Sequence, residues 1–169
     1  MATIGVASGS YIRPYRRGRM RRMRVDTSQT IVVGDLLVLS ADADEGDRVK
    51  KSGADPTTDR FIVGFAAGAI TTSSTVAYPR DEVDIWLASG DAEFIGHVCG
   101  AAVADGTLDN NDLSVEYGLL ADSTNGIWRV DQSETTAKLV RILELADAHG
   151  DTNGRVVFHV IAPERLYND

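Results

Sequence analysis

His97 and Cys99 stand two residues apart in Phe94-Ile95-Gly96-His97-Val98-Cys99. Side chains at that spacing share one face of a strand and are of the types zinc takes. Only His149 and His159 remain to complete such a site, neither at motif spacing, so a structural cysteine beside an ordinary histidine is expected. Asp42, Asp44 and Asp47 resemble the opening of a calcium loop. The glycine falls at the wrong place and no bidentate glutamate follows, so a solvated acidic loop is expected there. Gly5-Val6-Ala7-Ser8-Gly9 holds its serine one residue off the nucleophile-elbow spacing, and no phosphate-binding loop with Lys-Ser or Lys-Thr is present. The sequence therefore predicts no catalytic residue, no cofactor and no bound metal.

What remains is the chemistry of binding. Residues 1–24 carry seven of the 17 basic residues, Arg13, Arg16, Arg17, Arg19, Arg21, Arg22 and Arg24, and no acid. The other 145 residues hold ten bases against 25 acids, so a segment of +7 precedes a body of −15. A block of like charge repels itself and commonly serves as an arm that finds an oppositely charged partner. Pro14 and Gly18 oppose a helix, which also spoils a transit-peptide reading. In an extended chain Tyr11, Arg13, Tyr15 and Arg17 share a face, and Tyr and Arg are the types enriched at interface hot spots. At about 3.3 Å per residue such an arm reaches roughly 80 Å, enough to cross a neighbouring subunit. The expected partner-binding residues are Tyr11, Arg13, Tyr15, Arg16, Arg17, Arg19, Arg21, Arg22 and Arg24. Nucleic acid is an alternative partner, since arginine seeks phosphate and tyrosine stacks on bases. The acidic body disfavours it.

The whole chain has 169 residues, which suits one domain plus an arm, or two small β units fused. Cys99 is the only cysteine, so no intramolecular disulfide forms. No apolar run approaches the roughly 20 residues that cross a bilayer, and no signal peptide is visible. No membrane partner is expected.

Residues 25–30 read as a polar hinge, which divides the chain into an arm and hinge at 1–30 and a β-rich body at 31–169. Ile31-Val32-Val33-Gly34-Asp35-Leu36-Leu37-Val38-Leu39 reads as strand, turn, strand. Arg60 to Ala67 is a nearly continuous apolar run, a buried strand. Val83, Ile85 and Leu87 alternate with Asp84 and Trp86. Short strands continue through 94–99, 113–117, 126–130 and 155–161. Residues 138–146 fit either a strand or, through Leu139, Ile142, Leu143 and Ala146, a helix. The order of elements tips this toward strand. Gly34-Asp35-Leu36, Arg48-Val49, Asp59 to Ala66 and Val83 to Leu87 are followed by Asn111-Asp112-Leu113, Arg129-Val130, Ala137 to Glu144 and Val156 to Val160. That order suggests a degenerate internal duplication. The fold class expected is mainly β, a small β-barrel or β-sandwich, with an extended N-terminal arm. Val83, Ile85, Leu87, Val156, Phe158 and Val160 should face inward, Asp84 and His159 outward.

A basic arm, then Gly34-Asp35-Leu36-Leu37-Val38-Leu39, then Asp59-Arg60-Phe61-Ile62-Val63-Gly64-Phe65-Ala66, then a weaker second copy, resembles the tailed-bacteriophage head decoration proteins, also called capsid cement proteins. The resemblance covers 34–161 in pattern. This chain departs from it in a more arginine-rich arm and in Asn111-Asp112 where the second copy would carry Gly-Asp. The resemblance implies a non-enzymatic virion component on the outer capsid surface. Its partners would be the major capsid protein and neighbouring copies in a homotrimer or homodimer, with an arm locking capsid subunits. A tail or fibre component is the structural alternative.

Overall fold

The computed structural model describes residues 11–40, 48–53, 56, 61–73, 81–122 and 126–161. The stretch 5–9, the acidic loop 42–47 and the tail from 162 lie outside the described residues. The described residues form β1 (Arg13–Arg16), β2 (Arg19–Val25), β3 (Thr30–Ile31), β4 (Leu36–Leu39), β5 (Arg48–Lys51), β6 (Ile62–Ala66), β7 (Ile70–Thr71), β8 (Glu82–Leu87), β9 (Glu93–Cys99), β10 (Glu116–Asp122), β11 (Ile127–Asp131), β12 (Val140–Leu145) and β13 (Arg155–Val160). One 3-10 turn, Asn110–Asp112, precedes β10. The chain is mainly β, as expected, and 140–145 is strand.

Two closed barrels follow one another. In the first, β2 runs parallel to β5 and antiparallel to β8, while β4 pairs with β5 and β6, and β6 with β8. In the second, β9 runs parallel to β11 and antiparallel to β13, while β10 pairs with β11 and β12, and β12 with β13. The pairing scheme is the same. So is the register: Val25 lies opposite Val49 and Met23 opposite Val83, where Val98 lies opposite Val130 and Gly96 opposite Val156. Even the small β3–β7 ladder, Thr30 with Thr71, has a counterpart in the Thr107–Thr152 bridge. The repeated order of elements in the sequence is thus a repeated topology.

An aspartate pins the entry to the second strand of each repeat. Asp35 Oδ2 accepts the Val32 N–H at 2.8 Å, and Asp112 Oδ2 accepts the Asp109 N–H at 2.9 Å. Each aspartate returns its own N–H to the same carbonyl three residues back. Each carboxylate is also met from the end of the third strand, Asp35 on its other oxygen by Lys51 Nζ at 2.8 Å from Oδ1, and Asp112 on the same oxygen by Gln132 Nε2 at 2.7 Å from Oδ2. In the second repeat the Tyr117 hydroxyl also donates to Asp112 Oδ1 at 2.6 Å. Tyr117→Phe removes this one buried, charge-assisted bond, so we expect a loss of about 1 to 2 kcal/mol in urea unfolding with an unchanged m-value.

The interior of the first barrel is Met23, Val25, Ile31, Leu37, Val49, Val63, Ala66, Val83 and Ile85. The opposite faces of β4 and β6 are also buried. Leu36, Val38, Ile62 and Phe65 join a second cluster with Phe94, Trp128, Val140, Ile142, Val156 and Phe158 of the second barrel. Phe65 meets Phe94 edge-on at 4.9 Å between ring centroids and Phe158 at 6.3 Å. Burial on both faces explains why β6 reads as an unbroken apolar run rather than an alternation. The expected inward set holds, with Val83, Ile85, Val156, Phe158 and Val160 buried and Leu87 packed at the rim.

One expectation is corrected. Among the described residues, 11–25 are not an extended arm, and no break in the fold separates 11–30 from the residues that follow. β1 pairs with β9 of the second barrel, and β2 is a full member of the first, paired along its length with β8. The reason is the period-two pattern under the charge. In Arg22-Met23-Arg24-Val25 the apolar residues point into the barrel and the arginines outward. Ile12 is wholly buried in the cluster that joins the barrels. The segment therefore ties the two repeats of its own chain together.

Candidate interaction surface

Strand pairing also undoes most of the charge segregation seen along the sequence. β2 lies against β8 so that Arg22 is opposite Asp84 and Arg24 opposite Glu82. Arg22 grips Asp84 with both prongs, Nε to Oδ1 at 2.8 Å and Nη2 to Oδ2 at 3.1 Å. The hydrogen bond from Arg22, with its charge, holds the Asp84 carboxyl below its usual range. Arg16 lies 3.5 Å from carboxylate oxygens of both Glu93 and Glu144. Its guanidinium also covers the Tyr15 ring, 4.6 Å from the centroid. Arg21 and Arg24 have partners as well. Exposed cross-strand pairs of opposite charge add little stability, because water and salt screen them, but they favour this register over others.

Tyr11, expected as an anchor on a partner, is an anchor within the chain. Its ring stacks on Trp86, centroids 6.4 Å apart and planes 8° from parallel. Its Cβ lies over Gly34, where an added Cβ would come within 2.6 Å of it. That close approach, together with φ +87, explains the glycine of the Gly34-Asp35 pair.

What is left is the corner between β1 and β2. Arg13, Arg17 and Arg19 are exposed and, among the described residues, have no ion-pair partner. Tyr15 is 42% exposed beside them and Met20 62%. Of the nine residues expected to bind a partner, the structure brings Arg13, Tyr15, Arg17 and Arg19 to this corner and turns Tyr11, Arg16 and Arg22 to contacts inside the chain. The corner is held in shape. Gly18 packs so closely under Pro14 that an added Cβ would lie 2.6 Å from the proline Cβ, and Arg17 takes a left-handed φ of 53° to make the reversal. Met20 was missed by the sequence reading. Its signal was its place in β2 on the same face as Arg22, opposite the inward Met23.

Elsewhere the chemistry is structural. His97 Nδ1 lies 2.7 Å from the Asn153 carbonyl oxygen, to which it donates. Cys99 is buried, and burial, with Asp131 nearby, pushes its thiol up to about 12. It is a neutral, quiet thiol at physiological pH. Among the described residues no group of three or more His, Cys, Asp or Glu side chains is placed to hold a metal ion, and no helix is long and apolar enough to cross a membrane.

No family model, curated protein or solved structure matches this chain, so its possible partners are read from the β1–β2 corner alone.

Proposed function

We propose that the protein is a structural component of a phage virion that binds the outside of the assembled head and holds neighbouring major capsid subunits together. The observation that supports this best is the shaped β1–β2 corner, with three guanidinium groups that have no ion-pair partner among the described residues, a tyrosine and a methionine presented on closed barrels. Closed barrels leave few open strand edges, which suits a protein displayed at high local concentration. The corner replaces the draped arm as the contact, since residues 13–25 are committed to the fold. A ligand that binds only the assembled lattice stabilises it by mass action, and repetition around a shell lets modest contacts suffice. Purified protein mixed with emptied heads of its phage should cosediment, saturate at a fixed number of copies per head, and raise the temperature at which heads disrupt. Absence of cosedimentation at saturating concentration and low salt rules the proposal out.

A further inference from the structure

We infer that the β1–β2 corner, through Arg13, Tyr15, Arg17, Arg19 and Met20, docks onto a carboxylate-rich protein surface. This inference rests on the head-binding reading only for where that surface is found. Two observations favour protein carboxylates over a nucleic-acid backbone. The neighbouring arginines of the same segment already bind carboxylates, Arg22 to Asp84 and Arg16 to Glu93 and Glu144, so the geometry of this hairpin presents guanidinium groups to side-chain carboxylates. Met20 and Tyr15 add apolar surface between the charges, which a packed protein face can cover and a phosphate backbone cannot. The corner is pre-shaped by Pro14, Arg17 and Gly18, so little ordering entropy opposes docking.

The test uses the full chain, an Arg13→Glu, Arg17→Glu, Arg19→Glu triple variant, and Arg22→Gln. All three substituted corner positions are exposed, so the triple variant should keep the wild-type melting temperature to within a few degrees. Probes are poly-L-glutamate, a single-stranded oligonucleotide of equal charge, and emptied heads. Wild type should bind poly-L-glutamate more tightly than the oligonucleotide at about 0.15 M salt, where the Debye length is about 8 Å. The triple variant should lose at least about tenfold in affinity for poly-L-glutamate and for heads, and Arg22→Gln should stay within about twofold. Tighter binding of the oligonucleotide, or unchanged binding of poly-L-glutamate by the triple variant, overturns the inference. If wild type binds poly-L-glutamate through these arginines yet ignores heads, the docking chemistry stands and the head-binding proposal alone fails.

Discussion

Gly64→Ala should abolish folding or lower the melting temperature by roughly 10 °C or more, the shift expected for about 4 kcal/mol in a chain of this size. Gly64 lies in the middle of β6, paired with Leu37 on one side and Leu87 on the other. A Cβ there would fall 2.0 Å from the Trp86 carbonyl oxygen and 3.0 Å from the Ala88 nitrogen, both backbone atoms of the adjoining strand and its exit. β8 cannot retreat, because β2 is bonded along its other edge. The backbone itself bulges here: opposite β4 the register skips between Leu37 and Val38, and Gly64 takes φ +156. That bulge turns Val63 and Ala66 into the first barrel while Ile62 and Phe65 face the second. Gly90→Ala is the control. Nothing lies within 4 Å of its added Cβ, and it should change stability by less than about 0.5 kcal/mol in thermal unfolding. Equal effects at the two glycines would show that β8 yields and that the barrel does not depend on this approach.

Much of the fold was legible because short strands and turn residues leave a clear pattern. Val83-Asp84-Ile85 and Val156-Val157-Phe158 alternate or run apolar as their burial requires, and the two copies of the element order correspond to two barrels with matched register. The N-terminal segment misled for a physical reason. Net charge is summed along the chain, whereas burial is decided by every second residue. In β2 the seven residues Arg19–Val25 include four arginines, yet Met23 and Val25 suffice to place the strand in the barrel. The acids that neutralise the arginines come from β8, β9 and β12, far away in sequence, so no local window reveals them. The apparent division between a cationic arm and an anionic body is a cross-strand pairing seen before folding. Among the described residues Arg13, Arg17 and Arg19, at the corner where the chain leaves one barrel for the other, stay exposed without an ion-pair partner.

The two aspartate braces differ in one partner, Lys51 at Asp35 being matched by Gln132 at Asp112. Asp35 is fully buried, and burial raises its carboxyl above the ordinary value even though Lys51 and the Val32 N–H pull it back down. A carboxyl whose folded pKa exceeds its unfolded one binds more protons in the native state, so its contribution to stability is complete below the unfolded value and is lost as pH rises through the folded one. Asp84, Glu116 and Asp147 run the other way. Their pKa values are lowered by hydrogen bonds from Arg22, Arg141 and Arg155, so what they contribute is lost as pH falls through the carboxylate range. Lys51→Met strands the Asp35 charge and raises its pKa further. At pH 7 the variant should lose about 2 to 3 kcal/mol, less than the 3–5 of a pair buried at both ends because the lysine is partly in water. The gap from wild type should narrow as pH falls toward 5, because Asp35 protonates earlier in the variant. Asp35→Asn combined with Lys51→Met should recover much of the loss at pH 7, since a neutral amide oxygen can still accept the Val32 N–H and leaves no buried charge unpaired. A gap that stays constant from pH 5 to pH 8 would mean that Lys51 acts by packing its aliphatic stem over β4 and not through its charge.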